Sequence, residues 1–177
     1  MVIWLSGAYG VGKSTLARAL AGRIDAPLLF DAEELGNVVR DSYPGCPYGP
    51  IFEDYPLWAA FCYRLLKDIH HTFHKNLLVP MTLVRQASYT NILEKLRGDG
   101  IKTPLFILEA SYQTIHDRIL ARGETEDCWC MQNIEMARAA TAALPDGIHL
   151  ATDGKSVEEL ASLVLEALQQ PTDRTDQ

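Results

Sequence analysis

The stretch GAYGVGKST, Gly7 to Thr15, follows the apolar run Val2 to Leu5 and precedes a segment with helical apolar spacing. Its pattern Gly7-x-x-x-x-Gly12-Lys13-Ser14 is that of a phosphate-binding P-loop. Glycines at 7, 10 and 12 permit positive φ and let main-chain N–H groups approach phosphate oxygens. The helix that starts at the same point adds roughly half a positive charge at its N-terminus. Lys13 is placed to reach the β- and γ-phosphates, and the Ser14 hydroxyl to coordinate Mg²⁺. A dinucleotide-binding G-x-G-x-x-G does not fit, because Thr15 stands where a third glycine would follow Gly10 and Gly12. ATP and Mg²⁺ are therefore the expected cofactors, with Gly7, Ala8, Tyr9, Gly10, Val11, Gly12, Lys13, Ser14 and Thr15 around the phosphates.

The rest of the composition narrows what such a loop serves. A chain of 177 residues suits one α/β domain, expected over residues 1–170 with a disordered polar tail at 171–177. Hydrophobic content of 47% with 22% charged residues is that of a soluble globular protein. A formal charge of −7 argues against a nucleic-acid partner, which demands clustered Lys and Arg. The N-terminus does not read as a signal peptide, and no apolar run approaches the ~20 residues that span a bilayer. Val157 to Gln170 contains no Lys or Arg, against a basic membrane-binding helix. The expected location is cytoplasmic. Cys128-Trp129-Cys130 and the histidines at 70, 71 and 74 are read as neither metal nor redox sites.

Strand-like and helix-like segments alternate along the chain. Strands are expected at Val2–Ser6, Pro27–Phe30, Leu77–Met81, Leu105–Glu109 and Ile148–Ala151. Helices carry Leu16, Leu20 and Ile24, then Glu33 to Asp41, then the every-fourth-residue set Leu57, Phe61, Leu65, Ile69 and Phe73. Ser88 is expected to cap a helix bearing Ile92 and Leu96, and Ser111 one bearing Ile115 and Ile119. A further helix is expected from Trp129 to Ala143. Ser156 and Glu159 form a capping box for the last one. The order predicts a three-layer α/β fold around a parallel sheet.

Three features favour a small kinase. The chain has no room for a motor's second lobe. Asp31 ends the second strand, where ligands gather in open α/β sheets, so it is a candidate base or magnesium organiser; a helix cap is the competing reading. The segment from about 32 to 75, rich in aromatics, reads as an acceptor-binding flap, with Phe61 packing it onto the sheet and two or three rings touching ligand. Arg40, Tyr55, Trp58, Met81 and Thr82 are the candidate acceptor contacts. Arg118 and Arg122 share a helix face before a lid at about 122–130, and arginines there can neutralise charge on a transferring phosphoryl group. Lys13, Asp31, Arg118 and Arg122 thus form the candidate catalytic set, and Ser14 with Asp31 the metal set.

IWLSGAYGVGKS, YPLW (Tyr55 to Trp58), LLVPMTLV (Leu77 to Val84) and the lid together resemble bacterial tunicamycin-resistance ATP-binding proteins. These belong with chloramphenicol phosphotransferase and the adenylate and shikimate kinases. The resemblance, from Met1 to about Leu168, implies a five-stranded sheet in 2-3-1-4-5 order, ATP with Mg²⁺, and a nucleoside-type antibiotic as target. It also implies adenine near Arg118 and the loop Thr152-Asp153-Gly154. Where many P-loop enzymes end the third strand in a magnesium-organising Asp, this chain has Pro80-Met81-Thr82, so either Asp31 takes that duty or the metal is loosely held. The functional expectation is a small-molecule phosphotransferase. A non-catalytic binder sequestering the antibiotic and a housekeeping nucleoside or nucleotide kinase are the alternatives, and a homodimer is compatible with each.

Overall fold

A computed structural model of the chain describes residues 1–170. The expected disordered tail, 171–177, lies outside the described residues. The apolar runs form five parallel strands: β1 (Val2–Gly7), β2 (Pro27–Leu29), β3 (Asn76–Pro80), β4 (Leu105–Glu109) and β5 (Ile148–Ala151). They lie in the order β2-β3-β1-β4-β5. Central β1 is buried along its whole length, pairing Trp4 with Val79 on one side and Leu105 on the other.

Helices cover both faces, which is why the strands read as continuous apolar runs. On one face Val2, Trp4, Leu77, Val79, Leu105 and Ile107 pack with α2 (Ala32–Asp41) and α3 (Pro56–Phe73). The helical segment α4 (Gln86–Tyr89), a π turn at Thr90–Glu94 and α5 (Lys95–Gly98) completes that layer. On the other face Ile3, Leu5, Leu78, Phe106 and Leu108 meet α1 (Lys13–Ala21), α6 (Tyr112–Ala121), α8 (Ile134–Ala142) and α9 (Val157–Gln169). Short α7 (Trp129–Gln132) precedes α8, so the single helix expected from Trp129 to Ala143 is broken at Asn133. Among the described residues no helix is long and apolar enough to cross a membrane.

Ser111 and the Ser156–Glu159 capping box start their helices as expected. Ser88 does not: it is buried inside α4, which begins without a cap from its own N-terminal residue. The acceptor comes instead from the flap, where Glu53 takes the N–H groups of Val84 at 2.7 Å and Arg85 at 3.0 Å.

The face of α3 also differs from the expected stripe. Trp58, Cys62 and Leu66 are its buried residues, whereas Leu57, Phe61, Leu65 and Phe73 are exposed. Phe61 is 41% exposed and does not pack the flap onto the sheet. The inner stripe wins because its aromatics bury the most surface and find main-chain partners for their polar atoms. Trp58 donates its indole N–H to Ala32 O at 3.0 Å, and Tyr55 its hydroxyl to Gly49 O at 3.1 Å.

Candidate active site

The loop between β1 and α1 takes the strained shape that its glycines permit. Gly7 has φ 137° and Gly12 φ 112°, values that side chains rarely tolerate. A Cβ on Gly7 would drive into the carbonyl oxygen of Leu108, whereas Gly12, at the N-cap of α1, faces open space. Within this loop the Lys13 ammonium folds back, donating to Gly7 O at 3.1 Å and Ala8 O at 2.9 Å. Burial depresses its pKa from 10.5 to about 8, partly opposed by the nearby Glu33 carboxylate. Two carbonyls do not replace the hydration shell of an ammonium; a phosphate oxygen does so better.

The end of β3 braces the loop from below. Thr82 donates its hydroxyl to Gly7 O at 2.9 Å, Ser6 Oγ accepts from Leu83 N at 3.1 Å, and Trp4 donates to Met81 O at 2.9 Å. Both residues are buried, Thr82 with its hydroxyl on the loop and Met81 with its side chain in the core cluster, and neither lines the cavity described below.

Above the loop lies a cavity of about 770 Å³ lined by Tyr9 to Leu16 together with Glu33, Arg118, Arg122, Glu124 and Cys130. Arg18, Lys155, Val157 and Leu160 line it as well. Ser14 and Thr15 are exposed there at the start of α1. The Ser14 hydroxyl is thus free to serve a magnesium ion that arrives with the nucleotide, and the Glu33 carboxylate lines the same space. This donor set fits a cation brought and mainly ligated by phosphate and water. Among the described residues no cluster of His, Cys, Asp or Glu could hold a metal alone.

Asp31 serves as the helix cap. Its Oδ1 accepts from Glu33 N at 2.9 Å and Glu34 N at 3.1 Å, and it does not line the cavity. The acid that does so is Glu33, two residues on in the first turn of α2. Burial holds its carboxyl above the ordinary carboxylate range, with Lys13 and Arg122 pulling the other way and Asp31 adding to the rise. Sequence reasoning passed over Glu33. The signal available was the pair of acids Asp31-x-Glu33 after a strand, of which only one can cap.

The two arginines are held differently. Arg118 donates to Val11 O at 2.8 Å and Thr152 Oγ1 at 3.0 Å, clamping the loop to the residues after β5. Arg122 pairs at 2.6 Å with Glu124, in the segment expected to form a lid. That segment is further fastened to α6 by His116, whose Nε2 donates to Glu126 at 2.9 Å; that bond raises the His116 pKa. Asp153, expected near adenine, instead accepts Ser111 N at 2.8 Å and lines a neighbouring cavity of about 510 Å³; Gly154 lines neither. Lys155, Arg18, Val157 and Leu160 wall that end of the larger cavity, a set that local sequence gave no means of grouping.

The flap residues expected at the acceptor are elsewhere. Tyr55 is 1% exposed and Trp58 0%, and neither lines the cavity. Tyr55 lies within 5.5 Å of the rings of Tyr43 and Tyr48, and its hydroxyl is 2.6 Å from Cys46 Sγ. Arg40 bonds Asn37 Oδ1 at 2.8 Å and lies 5.2 Å over the Phe52 ring, clear of the cavity.

Residues 2–143 match a family described as AAA domain. No curated protein matches the sequence. Among solved structures, the Deinococcus radiodurans tunicamycin resistance protein is similar at a TM-score of 0.77 and 21% identity, covering 96% of each chain. A gluconokinase from Sinorhizobium meliloti 1021 gives 0.70 and 17%, covering 94% of this chain and 90% of that one. The Mycobacterium tuberculosis APS kinase, solved with AMPPNP and APS, gives 0.61 and 17%, covering 96% and 97%. At such identities the likeness is one of fold, and the fold is the P-loop kinase-like arrangement that the sequence resemblance implied.

Proposed function

The chain belongs to the AAA domain family, and on that premise we propose that it transfers the γ-phosphoryl group of ATP to a hydroxyl of a small nucleoside-like acceptor. One observation carries this reading: a potential base, Glu33, shares a cavity with Lys13 and Arg122 directly over a phosphate-binding loop. The kinases among the fold's relatives support the reaction class. The name of the D. radiodurans protein supports tunicamycin, a nucleoside antibiotic, as the acceptor and resistance to it as the role.

The chain's residues divide the chemistry. Lys13 leaves the Gly7 and Ala8 carbonyls and holds the terminal phosphates, with the loop amides around them. The Ser14 hydroxyl would hold the magnesium ion, which would supply positive charge against that of the phosphates. Arg122 exchanges Glu124 for the transferring group and stabilises its equatorial charge. Glu33 takes the proton of the acceptor hydroxyl as the new O–P bond forms and the β–γ bridging bond breaks, releasing ADP.

The test is incubation with ATP, Mg²⁺ and a panel of nucleosides and nucleoside antibiotics, read by mass spectrometry. The expected product is an acceptor heavier by one phosphoryl group. Tight tunicamycin binding with no mass change would overturn transfer in favour of sequestration.

A further inference from the structure

Helix α3 carries two apolar rows, and the fold uses one of them. Trp58, Cys62 and Leu66 are buried against the core. Leu57, Phe61 and Leu65 follow one another at a spacing of four on the other side and are 45%, 41% and 41% exposed. The small Ala60 beside them is exposed as well, which leaves room for a second backbone to approach. Single exposed apolar side chains are ordinary on a protein surface, but three in one row make a ridge that fits the groove of another helix. The ridge is flanked by opposite charges. Arg64 is exposed and has no hydrogen-bond or ion-pair partner among the described residues. Asp68, one turn on and also exposed, accepts only the Thr72 hydroxyl among them, at 3.4 Å.

We infer that a second copy of the chain docks on this face, its α3 crossing the first antiparallel in a two-fold symmetric pair. The order of residues along the face sets the register. A two-fold axis at Leu65 brings the two Leu65 side chains together and lays each Phe61 in the groove beside the opposing ridge. Arg64 of each copy then stands two residues, about 3 Å along the helix axis, from Asp68 of the other. A face with a cation and an anion beside an apolar ridge is complementary to itself, because the two-fold axis exchanges the charges. A partner of one sign would leave one of the two unmatched. The 18 residues of α3 extend about 27 Å, so one crossing pair covers less than the ~800 Å² per partner of a standard interface. The dimer is accordingly a weak one, with Kd on the order of 10–100 µM. The inference is independent of the phosphotransferase reading, since no residue of α3 lines the cavity over the phosphate loop.

The experiment is sedimentation equilibrium of the full chain from about 5 to 500 µM, a range that brackets the expected Kd. The average mass should climb from that of one chain toward that of two. Phe61→Ser should weaken association by about tenfold or more, as loss of a central ring does. Arg64→Asp and Asp68→Arg each set like charges across the pair and should each weaken it by about tenfold. Mixed in equal amounts, these two variants should associate to within about threefold of wild type, because each supplies the charge that the other lacks. Either variant still holds two like charges within its own helix, so recovery in the mixture reports contact between copies. Circular dichroism and urea midpoints close to wild type show that the variants fold. A mass that stays at one chain throughout would overturn the inference, leaving the face to a different protein or to water. Undiminished association of Phe61→Ser, or a mixture no better associated than its two components, would overturn it as well.

Discussion

The phosphate loop and the flap are both built from aromatic and polar side chains, yet they satisfy them in opposite ways. In the flap, Trp58 and Tyr55 give their hydrogen bonds to fixed carbonyls, and Arg40 is shared between Asn37 and the Phe52 ring. Such bonds are internal to a packed layer, and nothing from outside improves on them. Around the phosphate loop, Lys13 rests on two carbonyls and Arg122, at the C-cap of α6, on the half-buried Glu124. These partners are weaker than a phosphate, so the groups are available to a ligand that offers one. The contrast teaches that an aromatic-rich segment near a site is scaffold when its polar atoms are closed off. A site is marked by charges whose present partners can be bettered.

The largest effect that would break this contrast belongs to Glu33. Glu33→Gln should lower turnover by ~10²–10⁴, the range for losing a general base, while ATP binding changes little. Asp31→Ala, measured beside it, should cost about 1 kcal/mol of stability as a lost cap and leave turnover within a few-fold. A reversal of the two, seen in steady-state rates and urea midpoints, would make Asp31 the site acid.

Next comes the flap. Trp58→Ala should destabilise the fold by about 3–5 kcal/mol, through a cavity and an orphaned carbonyl, with kcat and KM little altered in protein that remains folded. A large rise in acceptor KM at unchanged stability would move Trp58 from scaffold to site.

Lys13 sharpens the comparison through pH. Its folded pKa, lowered to about 8, means that the ligand-free protein loses this charge as pH rises through 8. ATP affinity should therefore fall above pH 8, and binding between 8 and 10 should take up a proton, visible as a buffer-dependent enthalpy in calorimetry. The sign for folding is the reverse. The unfolded chain keeps the proton up to 10.5, so this residue's contribution to stability increases from about pH 8 to 10.5. Proton-independent binding across that window would remove Lys13 from the phosphates.

The smallest effect is on the outer face of α3. Phe61→Ser should shift stability by no more than about 0.5 kcal/mol, since the residue lies on the exposed row of α3 and belongs to neither core cluster. A loss of several kcal/mol in thermal unfolding would restore it to the core.

The fold was legible because β1, β3 and β4 are buried on both faces and so read as unbroken apolar runs, and because the glycine spacing of the loop has one mechanical use. The face of α3 was not, because the helix carries two apolar rows. Leu57, Phe61 and Leu65 sit one residue, about 100°, from Trp58, Cys62 and Leu66. Periodicity cannot rank them; contact with Ala32 O and the sheet does. Glu33 was missed for a related reason. Asp31 and Glu33 share one turn, and only the placement of α2 decides which carboxylate caps it and which enters the cavity. Asp153 and Gly154 were carried over by likeness, and the Ser111 amide claims the Asp153 carboxylate here.

Glu53 sits at the root of this arrangement. With both carboxylate oxygens on the Val84 and Arg85 amides, and its neighbour Asp54 gripping Arg85, it welds one jaw of the cleft to the body of the domain. Prising that jaw away would strand two N–H groups. The opposite side, beyond Gly123, is held to α6 and its cap by surface ion pairs, His116 with Glu126 and Arg122 with Glu124, which water can replace.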